Sequence, residues 1–379
     1  MENKAYLVIG IPTYCEANNI SSIVKKIDDA LVKYAKKYNT LIINADNNSP
    51  DGTKQAFLST ETKSKKIYLK TTRKGKGRNI KNILQYLRNF NLKALLLFDG
   101  DVKNLSSSWV DSYISSILKG SDLVVPLYSR QEHDGAITNH VCRPIISGIF
   151  NKDIKQPIGG DFALSKKCID MLLKKKMSGN TLKYGIDIFI TFNALNEKLK
   201  IDQVFLGEKI HSPSLPKLDN MYIEVLDTLF DLIKSNQKLL VNNKNSYGSN
   251  EKQIVPISKI NDKTRNETTL YLMESASLEY ITYKNLLKKN LTGELFNRIN
   301  TIFEQNKSPH LTNKDWQQIV ISLYQKYSLK KPKINREILR ASLCLFFLQH
   351  ASFIMSMEEK NGTQIESILA NKYNLLDII

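Results

Sequence analysis

The sequence contains few cysteines and none of the common cysteine motifs. Its 379 residues include four cysteines, which lie far apart and form no CxxC pair: Cys15, Cys142, Cys168 and Cys344. This spacing argues against a zinc knuckle and against a disulfide framework. A reducing compartment is the simpler interpretation of the cysteine content.

Segments that direct a chain into or across a membrane are also lacking. The first residues, MENKAYLVIGIP, run into an apolar stretch without the basic, long-apolar and small-residue order of a signal peptide. The most apolar run, residues 339–357, is short for a membrane span and is interrupted by Arg340, Gln349 and His350. We therefore expect a cytoplasmic protein with no transmembrane segment, in which residues 339–357 form a buried helix.

Acidic residues are in the minority, and the formal net charge is +18. Such a charge suits nucleic acid, an anionic membrane surface or phosphorylated small molecules as partners. The basic residues are scattered along the whole chain, however, and form no recognisable nucleic-acid motif. The charge is thus weak evidence for any partner, and we predict no nucleic-acid partner.

Hydrophobic residues make up 42% of the chain, enough for a sizeable core. In the first half, near-continuous apolar runs of the kind that parallel sheets bury on both faces occur at residues 5–12, 40–46, 66–72, 93–99 and 122–128. Residues 20–38 and 78–90 lie between these runs and have helical periodicity. This alternation predicts an α/β fold with a doubly wound, Rossmann-like sheet.

The second half has a different pattern. Long helical segments dominate, such as residues 221–240 and 316–327, and the polar stretch 242–253 is typical of a loop or linker. We predict a sheet domain at residues 1–215 and a mostly helical region at residues 216–379. The helical region is expected either to pack on the sheet domain or to form a homo-oligomer contact.

Polar residues follow the carboxyl ends of four predicted strands. Ligands of open α/β sheets bind at this edge, outside the carboxyl ends of the strands. The segments concerned are Pro12 to Glu16, Asp46, Arg73 to Arg78, and Asp99 with Asp101. The sequence therefore predicts a ligand site at this edge.

The last of these segments, FDGD, contains two carboxylates separated by Gly100. In an extended segment, Asp99 and Asp101 can face the same side. Their oxygens suit Mg²⁺ or Mn²⁺, which also bind phosphate oxygens. An Asp-x-Asp is common in turns and near helix caps as well, and Ser106 to Ser108 can cap a helix here. The position at the end of a buried strand favours the metal interpretation.

The segment RKGKGRN, residues 73–79, lacks the full GxxxxGK[ST] spacing of a P-loop. Gly75 and Gly77 nevertheless permit close backbone approach, and Lys76 can offer a point charge to a diphosphate. The alternative is a solvated basic turn.

Two further segments have a structural and a functional interpretation. DNNSPDGT, residues 46–53, has the composition of a turn, but Asp46 or Asn47 could hydrogen-bond a base or ribose. Glu16 is either a helix N-terminal acid or a hydrogen-bond acceptor for a nucleotide.

Several motifs resemble a known enzyme class. Four segments resemble the nucleotide-sugar-binding half of a GT-A glycosyltransferase. They are IPTYCEANN (11–19), ADNNSPDGT (45–53), GKG (75–77) and FDGD (98–101). Four later segments resemble the mannosylglycerate synthases and, more loosely, the glucosyl-3-phosphoglycerate synthases. They are RQEHDGAITNHVCRP (130–144), QPIGGDFAL (156–164), YGIDIFITF (184–192) and GEKIH (207–211). The resemblance covers roughly residues 5–215 and implies a GT-A fold followed by a helical region.

The resemblance implies a donor and metal site. Asp99 and Asp101 match the family's metal- and diphosphate-binding aspartates, and His211 matches its third ligand for Mg²⁺ or Mn²⁺. The nucleotide-sugar-binding set that it implies is Pro12, Glu16, Asp46, Asn47, Lys76, Asp99, Gly100, Gly159, Gly160 and Asp161.

Two members of this set keep an alternative. Gly159 and Gly160 match a loop whose backbone approaches the sugar, but they can also form an ordinary tight turn. Asp161 matches an acidic residue that can hydrogen-bond sugar hydroxyls, or it simply begins the next strand.

The acceptor side is also implied by the resemblance. Arg130, Asp134 and Thr138 match positions that bind the glycerate carboxylate and hydroxyls, and an arginine fork suits a carboxylate. Tyr184 stands where mannosylglycerate synthase has a tryptophan. The phosphoglycerate enzymes have an arginine where this chain has Ala136, which favours a small unphosphorylated hydroxy acid.

Asp187 corresponds to the acidic residue that faces the reacting centre in these families. It could orient the acceptor hydroxyl or accept its proton, and its alternative role is that of a helix N-terminal acid. Lys76 and the metal ion would stabilise the charge on the leaving nucleoside diphosphate. Asp187 and Lys76 are therefore the predicted catalytic residues.

The resemblance thus predicts a metal-dependent retaining glycosyltransferase. It would move mannose or glucose from a nucleotide sugar, such as GDP-mannose or UDP-glucose, to a small hydroxy acid such as glycerate. One alternative is a GT-A enzyme with a lipid-phosphate or protein acceptor. Another is a non-catalytic anion-binding or nucleic-acid-binding protein.

Overall fold

A computed structural model of the chain describes residues 4–212, 215–242, 255–305, 307–329, 332–370 and 373. The chain forms two compact units that alternate along the sequence. The first comprises Met1–Ser129 and Gln156–Pro216, and the second comprises Arg130–Lys155 and Lys217–Ile379. Residues 130–155, which the sequence analysis assigns to the sheet domain, thus belong to the second unit.

The strands are β1 (Tyr6–Thr13), β2 (Asn39–Asp46), β3 (Lys65–Lys70), β4 (Leu92–Leu97), β5 (Leu123–Gln131), β6 (Phe162–Leu164), β7 (Ile201–Glu208) and β8 (Ile257–Ser258). Seven of them form a sheet in the order β3-β2-β1-β4-β6-β5-β7. The first four strands are mutually parallel, β6 is antiparallel to β4 and β5, and β7 is parallel to β5. In the second unit, β8 pairs with the last two residues of β5, Arg130 and Gln131.

The helices are α1 (Ala17–Leu31), α2 (Thr53–Ser59), α3 (Lys76–Tyr86), α4 (Ser107–Leu118), α5 (Arg143–Phe150), α6 (Lys166–Lys174), α7 (Ile186–Asn196), α8 (Leu218–Asn242), α9 (Asp262–Asn290), α10 (Gly293–Glu304), α11 (Asn313–Leu329), α12 (Pro332–Ala341), α13 (Leu343–Ser356) and α14 (Gly362–Leu369). Helix α5 and helices α8 to α14 belong to the second unit. The predicted fold class, a sheet of mainly parallel strands followed by a mostly helical region, is confirmed.

Burial explains why these elements form. The central strand β1, YLVIGIPT, is buried at every residue except its first, as expected for a strand covered on both faces. Helix α1 buries Ile20, Ile23, Val24 and Ile27, which recur at helical spacing and join the core of the sheet. Burial on one helical stripe and on both faces of the strands therefore builds the layered first unit.

The apolar run near the C-terminus is buried inside the second unit. Residues Leu343–Ile354 of α13 are all buried, as the sequence predicts for a core helix. By length and composition, Asn335–Ser356 could cross a membrane, but 89% of that window is buried inside the protein, and buried core helices pass the same test. The predicted linker 242–253 lies outside the described residues, except for Asn242, which is the last residue of α8.

Candidate active site

Charged residues from five connections of the first unit meet at the edge where β1, β2 and β4 end. Asp99 follows β4, Lys76 is the first residue of α3, and Asp187 lies in the first turn of α7. Asp161 comes directly before β6, and Lys209 directly after β7. Parallel strands bring their carboxyl ends to one edge, which explains why residues so distant in sequence meet here.

These five residues form a row of alternating charges, Asp187–Lys76–Asp99–Lys209–Asp161, which we call the charge row. The Lys76 Nζ lies 3.1 Å from Asp187 Oδ2 and 2.7 Å from Asp99 Oδ1. The Lys209 Nζ lies 3.0 Å from Asp99 Oδ2 and 2.8 Å from Asp161 Oδ2. Three carboxylates thus face two ammonium groups. When all five groups are ionised, the charge row has a net negative charge, which favours binding of a cation nearby.

Burial and neighbouring charges move the pKa values of the row in different directions. Burial raises the pKa of Asp187 to about 6, although Lys76 opposes the shift. Burial would also raise the pKa of Asp99, but the ammonium groups of Lys209 and Lys76 outweigh it and hold that pKa well below its usual range. Asp99 is therefore ionised throughout the neutral range, whereas Asp187 can change protonation close to it.

Asp187 is also the one carboxylate of the row with an oxygen that lacks a partner. Its Oδ2 pairs with Lys76, but its Oδ1 is buried and accepts no hydrogen bond. Buried polar atoms are normally paired, because an unpaired one loses its hydration without compensation. This oxygen is therefore suited to accept a hydrogen bond from a bound hydroxyl group.

Asp161 has its carboxylate held by the protein. The residue is fully buried, and the Tyr128 hydroxyl donates to its Oδ2 at 2.5 Å. The backbone N–H of Asp99 donates to its Oδ1 at 2.8 Å. Burial raises the pKa of Asp161, against the opposing effect of Lys209. In this arrangement Asp161 fixes Asp99 and Lys209, and its predicted contact with sugar hydroxyls stays a prediction.

The two glycines before Asp161 allow their loop to lie against the charge row. A Cβ on Gly160, whose φ is +90°, would lie 2.2 Å from Asp99 Oδ2, and a Cβ on Gly159 would lie 2.3 Å from Pro126 Cγ. The Lys76 Nζ donates to the Gly160 carbonyl at 3.1 Å. Both positions therefore require glycine, because a Cβ at either would clash with the protein. The approach of this loop to the sugar stays a prediction.

The GKG segment also requires its glycines, but the close approach is made by the protein chain itself. A Cβ on Gly75 would lie 2.3 Å from the Leu182 carbonyl oxygen, and a Cβ on Gly77 would lie 2.1 Å from that of Thr181. The Gly77 N–H donates to the Lys183 carbonyl at 3.1 Å. This packing brings Lys76 next to Asp187, which lies four residues after Lys183.

Asp46 and Asn47 use their polar atoms to hold neighbouring loops. The Asp46 carboxylate is fully buried and accepts from the hydroxyls of Thr13, Ser49 and Tyr68. The Asn47 side chain accepts from the N–H of Gly75 at 3.1 Å and donates to the carbonyl of Arg73 at 2.9 Å. A contact of either side chain with a base or ribose would have to replace such bonds.

The PTYCE loop lies against the FDGD turn. A Cβ on Gly100 would lie 2.8 Å from Thr13 Cγ2, 3.1 Å from Glu16 Cγ and 3.2 Å from the Pro12 carbonyl oxygen. The Glu16 carboxylate accepts from the Asn19 side chain at 2.8 Å. Pro12, Glu16 and Gly100, which the resemblance places in one donor site, are therefore neighbours in the structure.

The segments that carry the predicted metal ligands are joined by a backbone hydrogen bond, but the side chains of these ligands are not grouped. The Lys103 N–H donates to the Ile210 carbonyl at 2.8 Å, which joins the loop after Asp101 to the segment before His211. The His211 ring is exposed, however, and its Nδ1 lies 2.7 Å from the Ser212 carbonyl oxygen. Within the described ranges, no three His, Cys, Asp or Glu side chains are grouped closely enough to hold a metal ion.

The side chains present still fit a hard divalent cation. The Asp101 carboxylate is half-buried and has no protein partner among the described residues, whereas both oxygens of Asp99 pair with lysines. Mg²⁺ is commonly held by one or two carboxylates together with phosphate oxygens. Asp101 would therefore hold the ion, and a donor diphosphate would complete its ligands. The assignment of Asp99 and His211 as further ligands stays a prediction.

The predicted acceptor residues fall in both units. Arg130, Asp134 and Thr138 belong to the second unit, and the half-buried Tyr184 belongs to the first. Gly135 has a φ of +71°, and a Cβ there would lie 2.0 Å from Arg130 Nη1. The Arg130 guanidinium thus lies against this turn, close to Asp134.

Sequence reasoning missed Lys209 and Tyr128. Lys209 lies two residues before His211 in GEKIH, and residues two apart in an extended segment face the same side. That spacing is a signal that could have indicated Lys209. Tyr128 lies in a buried apolar run and offers no such signal, because its role depends on Asp161 from a distant segment.

Comparison with known proteins places the chain in a family. The family model of the mannosylglycerate synthase GT domain matches residues 19–230. The mannosylglycerate synthase of Selaginella moellendorffii is 26% identical over 168 residues, which are 42% of this chain and 40% of that protein. The enzyme of the same name from Rhodothermus marinus is 24% identical over 145 residues, 37% of this chain and 36% of that protein.

Two other proteins are also similar. Dolichol-phosphate mannosyltransferase of Pyrococcus furiosus is 26% identical over 175 residues, 42% of this chain and 46% of that protein. This chain therefore spans less than half the length of the curated relatives it matches. A crystal structure of glucosyl-3-phosphoglycerate synthase from Mycobacterium tuberculosis with Mn²⁺, UDP and phosphoglyceric acid is 20% identical, with a TM-score of 0.49 over 60% of this chain and 78% of that chain. Since the family model spans more than half of the 379 residues, the chain belongs to the mannosylglycerate synthase family through its GT domain.

Proposed function

We propose that the protein is a cytoplasmic, metal-dependent retaining glycosyltransferase. It moves mannose or glucose from a nucleotide sugar to a small hydroxy acid such as glycerate. Membership of the mannosylglycerate synthase family supports this activity. The observation that carries the proposal is the charge row, which ends at the unpaired, buried Oδ1 of Asp187.

The donor diphosphate binds beside Lys76 and Asp101. A divalent metal ion, Mg²⁺ or Mn²⁺, supplies positive charge for the leaving nucleoside diphosphate when it is bound. Lys76 adds a second positive charge from the start of α3. Because the row holds Lys76 between Asp99 and Asp187, the ammonium group needs little reorganisation as the leaving group becomes negative.

Asp187 orients the acceptor hydroxyl. Its pKa of about 6 leaves it mainly ionised at neutral pH, so that Oδ1 can accept a hydrogen bond from an O–H group. In a retaining reaction with attack on the face of the leaving group, the departing phosphate is close enough to take the proton. Asp187 then positions the hydroxyl more than it deprotonates it.

The Asp187→Asn variant tests this role. We expect a fall in kcat of about 10²–10⁴. The amide oxygen of Asn must face the Lys76 ammonium group, which leaves the NH2, a donor, at the place where Oδ1 accepts the hydroxyl hydrogen bond. The Km for the donor should change little. Asp170→Asn is a matched control, since Asp170 is a half-buried acid of α6 that pairs with Lys166. Unchanged turnover in Asp187→Asn would contradict the assignment.

The acceptor is a small carboxylate with a free hydroxyl. The Arg130 fork suits a carboxylate, and Ala136 lacks the cation that a phosphate would need. Transfer assays with glycerate, 3-phosphoglycerate and dolichyl phosphate distinguish the candidates. The third is included because a dolichol-phosphate mannosyltransferase is among the similar proteins. Exclusive transfer to 3-phosphoglycerate or to the lipid phosphate would overturn the choice of a hydroxy acid.

A homo-oligomer contact through the helical unit stays a prediction. Helix α9 carries exposed apolar side chains, among them Leu270, Leu278 and Ile281, with exposed fractions of 60%, 70% and 77%. Light scattering of the purified protein measures the oligomeric state directly. A monomer at all concentrations would contradict the prediction.

A further inference from the structure

A buried histidine of α13 contacts two points of the segment that carries the predicted acceptor residues. The His350 Nε2 lies 3.0 Å from the His133 carbonyl oxygen, and its Nδ1 lies 3.1 Å from His140 Nε2. Arg130 lies just before this pair of contacts, and Asp134 and Thr138 lie between them. All of these residues belong to the second unit.

The chemistry of the two contacts allows a single arrangement of protons on neutral rings. A carbonyl oxygen only accepts hydrogen bonds, so the His350 Nε2 must carry the proton and donate it to His133. The His350 Nδ1 is then an acceptor, and the His140 Nε2 donates to it. Burial lowers the pKa of His350 to about 4, although the bond to the His133 carbonyl opposes the shift, and burial lowers that of His140 well below its usual value. Both rings are therefore neutral under physiological conditions.

The surrounding core holds His140 and His350 in place. The Trp316 Nε1–H donates to the His140 carbonyl at 2.7 Å. The ring of Phe353 lies 5.0 Å from that of His140, in an edge-on geometry. His140 and His350 are each only 3% exposed. The contact is thus part of a packed core, and its geometry cannot relax without cost.

The segment between the contacts is a compact turn. The Asp134 N–H donates to the Gln131 carbonyl at 3.0 Å, and the Asn139 N–H donates to the Gly135 carbonyl at 2.8 Å. Gly135 lies against the Arg130 guanidinium, and Thr138 begins a π-helical turn, Thr138–Cys142. Turns of this helix type are frequent at functional sites. Holding both ends of the turn therefore sets where Arg130, Asp134 and Thr138 lie relative to one another.

We propose that His350 is a positioning residue for acceptor recognition, which holds the turn 133–140 so that Arg130, Asp134 and Thr138 together bind a small hydroxy acid. This inference rests on the proposed function. His350 touches neither substrate nor the reacting atoms in this role. Its effect belongs to acceptor binding and not to the charge row, which lies in the other unit.

The test replaces His350 with phenylalanine, which keeps a ring of similar shape and removes both hydrogen bonds. We expect the Km for glycerate to rise about tenfold to a hundredfold, since small displacements of positioning groups have effects of this size. The Km for the nucleotide sugar should stay within about twofold of the wild-type value, because a distinct unit carries the donor residues. The increase in Tm that the nucleotide sugar produces should likewise stay within about twofold of the wild-type increase. His350→Gln, which can both donate and accept, should restore part of the acceptor affinity.

Two control variants separate positioning from general destabilisation. His310→Phe changes an exposed histidine of the same unit, and Gln349→Leu changes the buried neighbour of His350, which bonds Asn313 instead of the turn. Neither should change the Km for glycerate. An unchanged acceptor Km in His350→Phe, or parallel losses of donor and acceptor binding, would overturn the proposal.

A second measurement covers failure of the proposed function itself. If the wild-type protein transfers sugar to no hydroxy acid, the proposed function has failed, whereas the structural role of His350 is still measurable by amide hydrogen exchange. Faster exchange of the Asp134 and Asn139 amides in His350→Phe, with unchanged exchange in the first unit, supports the positioning role. Unchanged exchange at these two amides refutes it.

Discussion

Lys209→Met removes the ammonium group that joins Asp99 to Asp161 in the charge row. The carboxylate of Asp161 is fully buried, and its two oxygens would keep only the bonds from Tyr128 and from the Asp99 N–H. Breaking a buried ion pair on one side typically costs about 3–5 kcal/mol, because a charge stays buried without compensation. Since those two donors remain, we expect the lower end of the range, about 3 kcal/mol.

Thermal denaturation of the sheet unit measures this cost. For a unit of this size, each kcal/mol lowers the Tm by about 2–4 °C, so the Tm should fall by about 6–12 °C. Asp161→Asn combined with Lys209→Met should recover part of the loss, because no unpaired charge is then buried. Lys174→Met is the control, since Lys174 is exposed and forms no ion pair with the described residues.

The pH dependence gives an independent check. In Lys209→Met, Asp161 has lost its cation, so its folded-state pKa lies further above its unfolded value. A carboxyl with a raised pKa costs stability above its unfolded pKa, and this cost disappears as the pH falls towards that value. The Tm difference from wild type should therefore narrow between neutral pH and about pH 5. An unchanged Tm in Lys209→Met, or strictly additive effects in the double variant, would refute the reasoning.

Three further predictions concern the site and the second unit. Gly160→Ala should lower both the Tm and kcat more than Gly207→Ala does. Both glycines have a positive φ, but only at Gly160 would the new Cβ meet Asp99. Equal Tm and kcat in the two variants would contradict this prediction. Chelation by EDTA should abolish sugar transfer. Added Mn²⁺ or Mg²⁺ should restore transfer in the wild-type protein but not in Asp101→Ala. Full activity in EDTA would exclude a metal requirement. Urea denaturation of the second unit should show a loss of free energy of unfolding of about 1 kcal/mol for each of His140 and His350 between neutral pH and about pH 5.5. Both rings stay neutral in the folded protein and become protonated in the unfolded chain. His350→Phe should lose its share of that pH dependence and His310→Phe should not, whereas identical pH profiles in both variants would show that His350 titrates alike in the folded and unfolded chain.

Local sequence patterns were sufficient for most of the first unit. The apolar run at residues 5–12 predicts β1, which the structure places at Tyr6–Thr13, and the periodicity at residues 78–90 predicts α3, which begins at Lys76. Both patterns act through burial of nearby residues, so a short window contains the information. The start of α3 mattered for the site, since it places Lys76 at the helix N-terminus.

Two assignments depended on contacts that no window contains. Residues 130–155 continue from a strand of the sheet, so the sequence offers no boundary there, yet their contacts place them in the helical unit. In the same way, Gly75 and Gly77 signalled a close approach but not its partner, which is the backbone at Leu182 and Thr181. Glycine shows that space is needed, and the fold decides what occupies it.

By itself, the sequence determined the first five strands with two of the helices between them, the buried C-terminal helix, and the family resemblance of FDGD, GKG, YGID and GEKIH. The tertiary structure alone decided that Asp99 pairs with both Lys76 and Lys209 and that Asp187 keeps one unpaired oxygen. Lys209 and Asp99 are 110 positions apart, and Lys76 and Asp187 are 111 apart. Charges so distant along the chain interact only when the sheet brings its strand ends together, because their attraction and their pKa shifts depend on distances of a few ångströms in a buried environment.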